Sequence, residues 1–135
     1  MNFKPLGRSP EVVYHYTKLD NVSSITKDKE VKRFKDTYTF FTESLELADW
    51  LLKNVTCNPN CGTVGFDGII RKNDNNIKDY CILKLTVNKN YIDNTKWYLS
   101  DSAFNGDKDV IDVVNSSICY KGNLKFVECE VVKFY

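Results

Sequence analysis

The stretch Val12-Val13-Tyr14-His15-Tyr16-Thr17-Lys18-Leu19-Asp20-Asn21-Val22-Ser23-Ser24-Ile25 changes from a strand pattern to a helix pattern. Its first half is rich in β-branched and aromatic side chains, which favour an extended strand. Leu19, Val22 and Ile25 then recur at three-residue steps, and Asp20 or Asn21 can cap a short helix. The chain is therefore expected to open with a strand whose end carries His15, and a helix is expected just beyond it.

Further strands and helices follow along the chain. Residues 37–42 are dense in β-branched and aromatic side chains, and residues 80–87 alternate between two faces, so both predict strands. Ser44 can cap a helix with one apolar stripe, formed by Leu45, Ala48, Leu51 and Leu52. Residues 107–114 can form a brief helix, although β-branched residues weaken that prediction. The pattern indicates an α+β protein.

The closing segment, residues 124–135, is strand-like throughout. With a period of two, Glu128 and Glu130 fall on one face together with Phe126, Val132 and Phe134. A carboxylate on an apolar face is costly unless it is paired, exposed or used in function. Two interpretations stay open: a working carboxylate pair, or an edge strand whose glutamates lie in water.

Composition limits the classes of protein to consider. The chain has 135 residues with 42% hydrophobic content, which is enough for one compact domain over residues 1–135. Its formal net charge of +1 provides no global field that would attract nucleic acid or an anionic membrane. The basic segment at residues 27–35 also contains Asp28 and Glu30, which dilute its charge.

Location and metal content can also be predicted. No stretch approaches the roughly 20 apolar residues that a membrane-spanning helix requires, and the N-terminus lacks an apolar signal core. We therefore expect a cytoplasmic protein with no membrane partner. The five cysteines are an odd number, which suits a reducing compartment. Cys57 and Cys61 form the one close pair, with no histidine nearby, so we expect no metal site.

His15 is the single histidine of the chain. Imidazole both donates and accepts hydrogen bonds near neutral pH, so at a strand end it can serve a ligand. The alternative is an ordinary half-buried strand residue whose ring is satisfied by its neighbours.

Four segments together resemble the ADP-ribosyltransferases. They are the segment Tyr14-His15-Tyr16-Thr17 with the helix after it, Phe40-Phe41-Thr42 with its following helix, Gly65-Phe66-Asp67-Gly68-Ile69-Ile70, and a late strand with glutamates. The first segment is most similar to the opening of DarT-type enzymes, which modify DNA, and of small bacterial toxin transferases with a His-Tyr-Thr start. The four segments cover less than half of the chain.

The resemblance implies a fold and a set of ligand contacts. It implies a split, bent β-sheet sandwich with a few short helices around a cleft that holds NAD as substrate. His15 would hydrogen-bond a ribose of NAD, and its neighbours Tyr16 and Thr17 would belong to the same NAD-binding motif. Phe40 would stack on nicotinamide where the family usually has tyrosine, and Tyr38 could supply the missing hydroxyl.

Phosphate contacts and catalysis complete the expected site. Ser24, near the start of the first helix, could meet the pyrophosphate, with Arg33 and Arg71 as further candidates. The resemblance assigns the catalytic carboxylate to Glu130, with Glu128 as the other candidate. Such a carboxylate would stabilise positive charge on the sugar as nicotinamide leaves.

The resemblance also implies a function. It is NAD-dependent mono-ADP-ribosylation of a macromolecule, either nucleic acid or protein, by a bacterial or phage toxin or effector. Two alternatives stay open: a catalytically inactive binding module with this fold, and an NAD hydrolase in which water replaces the acceptor.

Overall fold

A computed structural model describes residues 2–33, 38–64, 68–101 and 117–135. Within these ranges the strands are β1 (Asn2–Pro5), β2 (Val12–Lys18), β3 (Glu30–Val31), β4 (Tyr38–Phe41), β5 (Gly62–Val64), β6 (Ile70–Lys72), β7 (Tyr80–Val87), β8 (Trp97–Asp101), β9 (Ile118–Lys121) and β10 (Leu124–Phe134). The helices are α1 (Leu19–Asp28) and α2 (Leu45–Leu51), the latter continued by a π-helical turn (Leu52–Thr56). Short 3-10 turns lie at Ile77–Asp79, Lys89–Tyr91 and Asn94–Lys96. The helix expected at residues 107–114 lies outside the described residues, as do residues 65–67 of the third segment that resembles the ADP-ribosyltransferases.

Two antiparallel four-stranded sheets dominate the structure. One has the strand order β1-β8-β9-β4, and the other has the order β2-β7-β10-β3. The two sheets meet at an isolated bridge, where Tyr14 and Thr42 exchange backbone hydrogen bonds of 2.8 and 2.9 Å. Strands β5 and β6 form a separate hairpin. The predicted α+β class is therefore confirmed.

The core lies between the inner faces of the two sheets. Strands β2 and β7 contribute Val13, Leu83 and Leu85, which are completely buried. The other sheet contributes a further buried set to the same cluster, namely Phe41, Trp97, Ile118 and Tyr120. Burial of each large apolar side chain stabilises the fold by about 2 kcal/mol. The shared core therefore holds the two sheets together, and the bridge between Tyr14 and Thr42 adds a backbone link between them.

Helix α1 confirms the predicted helix but not its predicted cap. It begins at Leu19, and its N-cap Lys18 makes no side-chain capping hydrogen bond. Asp20 and Asn21 therefore lie inside the first turn, and the prediction that either caps the helix was wrong. The helix ends at Asp28, and its C-cap Lys29 has a φ of 50°, in the left-handed conformation.

Helix α2 begins as its sequence predicts. The Ser44 hydroxyl accepts a hydrogen bond from the Leu47 backbone N–H at 3.1 Å. Ala48, Leu51 and Leu52 from the predicted stripe are buried. This packing places α2 on the outer face of strands β2 and β7, which is the face away from the core.

Strand β10 departs from the predicted alternation. Its register with β7 shifts between Phe126 and Glu128 and again between Val131 and Lys133, as at β-bulges. Phe126 is consequently buried in the core, whereas Glu128 is exposed. The prediction that Phe126 shares a face with Glu128 and Glu130 was therefore wrong, because an inserted residue reverses side-chain parity.

Candidate functional site

His15 lies on β2 with its ring on the core side of the sheet. Its Nδ1 is 3.0 Å from the backbone oxygen of Phe40, and its ring centroid is 5.3 Å from that of Phe41. A carbonyl oxygen can only accept, so Nδ1 must be the donor in this hydrogen bond. Burial lowers the pKa of the His15 imidazole, and the hydrogen bond to Phe40 opposes that shift. In the neutral ring, Nε2 is then left as a hydrogen-bond acceptor.

A cavity of about 330 Å³ adjoins this ring. It is lined by one side of β2 and α1 and by the segment after α1, that is by His15, Thr17, Asn21, Ser24, Ile25, Asp28, Glu30, Val31, Lys32 and Arg33. Three of the residues predicted to bind NAD, namely His15, Thr17 and Ser24, thus line one cavity.

Hydroxyl and amide groups form the helical wall of this cavity. The Asn21 side-chain amide donates to Thr17 Oγ1 at 3.3 Å, and the Ser24 hydroxyl donates to the Asn21 carbonyl at 3.1 Å. Ser24 lies in the second turn of α1, beyond the first-turn N–H groups that lack helical partners. Ser24 therefore offers its hydroxyl rather than a free helix terminus.

The remaining wall carries charged side chains. Asp28 and Lys32, which are four residues apart in sequence, form a salt bridge with a distance of 3.1 Å between Nζ and Oδ2. Glu30 and Arg33 also line the cavity, and the Arg33 backbone N–H donates to the Asn123 side chain at 2.8 Å. Two positive and two negative side chains thus line this cavity.

Tyr38 and Phe40 share the outer face of β4. Thr39 and Phe41, which alternate with them, are buried toward the core. The Tyr38 ring meets the Tyr98 ring edge-on at 5.8 Å. Phe40 contacts His15 through its backbone oxygen. Neither Tyr38 nor Phe40 is among the described residues that line the His15 cavity.

Tyr16 points to the opposite face of β2 from His15. Its hydroxyl accepts a hydrogen bond from Thr56 Oγ1 at 2.9 Å, beneath the π-helical turn. Burial raises the pKa of this phenol. The structure therefore does not bring Tyr16 to the cavity.

Glu128 and Glu130 also lie on the outer face of their sheet. Across the sheet, Glu130 of β10 pairs with Lys84 of β7, which pairs with Tyr14 of β2. His15 lies in the next row, where it pairs with Leu83 of β7, which pairs with Val131 of β10. Cross-strand partners share a face, and neighbours along a strand alternate. The two glutamates line a separate groove of about 400 Å³. The structure does not bring them together with His15.

Part of the cavity wall formed by α1 and the segment after it was not predicted from the sequence. Asn21, Asp28 and Lys32 line it in addition to the predicted residues. The available signal was spacing, because residues 21, 24, 25 and 28 are separated by three or four positions and share one face of α1.

Among the described residues, no group of three or more His, Cys, Asp or Glu side chains is arranged to hold a metal ion. None of the described helices has the length and apolar character needed to cross a membrane.

Comparison with known proteins gives no relative. No protein-family model matches the chain, and neither the curated proteins nor the solved structures contain a match. The functional argument therefore depends on the residues themselves.

Proposed function

We propose that this protein is an NAD-dependent mono-ADP-ribosyltransferase that binds NAD through the cavity beside His15. The observation that carries the proposal is the state of the His15 ring. The His15 ring lines the cavity, and its Nδ1–H donates to the Phe40 carbonyl. Burial lowers the pKa of the ring and so favours the neutral form, in which Nε2 is left as a hydrogen-bond acceptor. A sugar hydroxyl is a suitable donor for this acceptor. Thr17 and Ser24 add hydroxyls that a ribose can also use.

The size of the cavity agrees with part of a dinucleotide. A volume of about 330 Å³ lies at the lower end of the usual range for ligand pockets, about 300 to 1,000 Å³. The cavity would therefore take one nucleoside portion of NAD, and the rest would extend along the protein surface. The cavity lies beside the sheet that contains β2, between that strand, α1 and the segment around β3.

The reaction breaks the bond between nicotinamide and the ribose C1′. Nicotinamide leaves with the bonding electrons, and positive charge develops on the sugar. A nucleophilic group of the acceptor forms the new bond to C1′ and gives up its proton to a base. Neither a metal ion nor a redox step is required by this balance. A nearby carboxylate would stabilise the sugar cation.

The position of the glutamates favours a second candidate function. Glu128 and Glu130 lie on the face of the sheet opposite to His15, so neither can touch a ribose bound at His15 in this arrangement. A domain that binds a nucleotide without cleaving it needs no carboxylate there. The second candidate is therefore a binding module with an ADP-ribosyltransferase-like fold.

The acceptor is proposed only as a class. The resemblance to DarT-type enzymes and small toxins suggests nucleic acid or protein as the target, and an effector role in a bacterium or phage. The net charge of +1 argues against tight nonspecific binding to duplex DNA. Single-stranded nucleic acid and protein are therefore the first acceptors to test.

One experiment separates the candidates. The purified protein is incubated with NAD labelled in its adenylate phosphate, together with single-stranded DNA, RNA or cell lysate in separate reactions. Label on a macromolecule supports transfer, and free ADP-ribose supports hydrolysis. Intact NAD together with measurable NAD binding supports the binding module. Intact NAD without binding contradicts both proposed functions.

A further inference from the structure

Arg33 is placed to reach a ligand in the His15 cavity. It lies two residues beyond the end of β3 and lines the same cavity as His15. Its side chain is exposed to solvent at that wall. A guanidinium offers a planar fork of N–H donors that fits two oxygens of a phosphate.

The charges around Arg33 leave it as the cation available to a ligand. Lys32, the other cation of the wall, forms a salt bridge with Asp28 at 3.1 Å. Among the residues that the structure describes, Arg33 forms no salt bridge of its own. Glu30 carries the remaining negative charge, so the wall is neutral overall. A phosphate would thus be selected by the position of Arg33 rather than by net charge.

The backbone of Arg33 is held by a distant residue. The Asn123 side-chain oxygen accepts the Arg33 backbone N–H at 2.8 Å, although the two residues lie 90 positions apart. Asn123 connects β9 to β10 and follows Gly122, whose φ of 127° strongly favours glycine. The Gly122 carbonyl in turn accepts a hydrogen bond from Thr39 Oγ1 at 3.1 Å.

These hydrogen bonds link the backbone of Arg33 to β4, the strand whose Phe40 carbonyl accepts the hydrogen bond from His15. Thr39 lies on β4, next to Phe40, and the Phe40 carbonyl fixes the His15 ring. The His15 ring and the Arg33 backbone are therefore both tied to β4, the first through the Phe40 carbonyl and the second through the Gly122–Asn123 turn. Without this support, the segment that carries Arg33 would have to become ordered when a ligand binds, and the entropy cost would weaken binding.

From this arrangement we infer that Arg33 binds a phosphate of the nucleotide in the His15 cavity and that Asn123 is its positioning residue. The inference rests on the proposal that this cavity is a nucleotide site. It does not require that the bound nucleotide be cleaved. The ligand class is a ribonucleotide with at least one phosphate, rather than a free nucleoside.

The test compares ligands with and without phosphates. Binding of ADP-ribose and of adenosine is measured by calorimetry at two salt concentrations. A charge-assisted contact is worth about tenfold or more in affinity. Arg33→Ala should therefore weaken ADP-ribose binding by about tenfold, reduce its salt dependence and leave adenosine unchanged. Lys32→Ala is the matched control, and it should have a smaller effect because Lys32 is already paired.

Asn123 is tested as a positioning residue. Asn123→Ala should weaken ADP-ribose binding by a few-fold and leave adenosine unchanged, and it should add no further loss to Arg33→Ala. Asn123→Asp keeps the acceptor oxygen and should restore affinity. A thermal melt of each variant shows whether the fold is intact.

Three results would overturn the inference: equal loss for both ligands in Arg33→Ala, additive losses in the double variant, or no ADP-ribose binding by the wild type. Failure of the proposed transfer reaction is a separate outcome. Arg33-dependent binding of ADP-ribose without turnover of NAD would retain this inference and remove the transferase activity.

Discussion

The His15 arrangement makes a prediction about the effect of pH on ligand binding. If the neutral Nε2 accepts a hydrogen bond from a ligand hydroxyl, the affinity for ADP-ribose should be constant at pH values where the ring is neutral. It should fall in acid, where Nε2 is protonated. Burial holds the pKa of His15 below its ordinary value of 6.5. The affinity should therefore be flat from about pH 7.5 to about pH 8.5, where the ring is neutral, and should decrease in the acid range, below the ordinary value, as the ring becomes protonated.

The size of the effect follows from one neutral hydrogen bond. Such a bond contributes about 1 kcal/mol, which corresponds to about fivefold in the dissociation constant. His15→Ala should weaken ADP-ribose binding by about that factor at pH 7.5 and should abolish the decrease in acid. Glu130→Gln, on the opposite face of the same sheet, is the matched control and should behave as wild type in this binding assay.

Calorimetric titrations at pH 5.5, 6.5, 7.5 and 8.5 would test the prediction, with circular dichroism confirming that each sample is folded. Tighter binding at pH 5.5 would refute it, since a protonated ring would then be donating to the ligand. An unchanged affinity in His15→Ala would remove His15 from the site.

Three further variants test the stability of the fold and the role of the glutamates. Since the folded-state pKa of His15 is depressed, its contribution to stability should fall as the pH drops through about 6.5, and His15→Ala should lack that dependence in urea denaturation. Partial burial acts to raise the pKa of Asp49, but hydrogen bonds from Lys133, Tyr135 and Lys53 outweigh it and lower the pKa to about 2. Its stabilisation is present above about pH 4 and is lost as the pH falls toward 2, so Asp49→Asn should cost about 1 to 2 kcal/mol at pH 7, after allowing for solvent screening, and almost nothing near pH 2. A constant difference across that range, measured by chemical denaturation, would contradict the Asp49 prediction. Glu130→Gln should leave NAD turnover and melting temperature unchanged if the exposed groove is not the reaction site, and loss of turnover would restore Glu130 as the catalytic group.

Local sequence patterns determined several elements of this protein. The β-branched and aromatic run at residues 12–17 gives strand β2, and the alternation at residues 80–87 gives β7. Ser44 caps α2 because its hydroxyl reaches an N–H three residues ahead, which is a purely local contact. These features depend on neighbours in the chain, so a single sequence is enough to predict them.

The site needed information that no local pattern contains. Two bulges in β10 depend on how that strand pairs with β7, and they place Phe126 in the core while Glu128 lies outside. A strict alternation of faces predicted from the sequence cannot show where a bulge inserts an extra residue into the strand. The separation of Glu130 from His15 was therefore decided by the tertiary structure.

The sequence by itself determined which chemical groups the protein has: one imidazole, a helix with hydroxyl and amide side chains beside it, and acidic residues on a late strand. The tertiary structure decided which of them meet. His15 gains its fixed tautomer from the Phe40 carbonyl, and Arg33 gains its support from Asn123, because sheet pairing brings residues 25 and 90 positions apart into contact. Hydrogen bonds of this kind depend on strand order and register, and those are settled only when the two sheets pack around a common core.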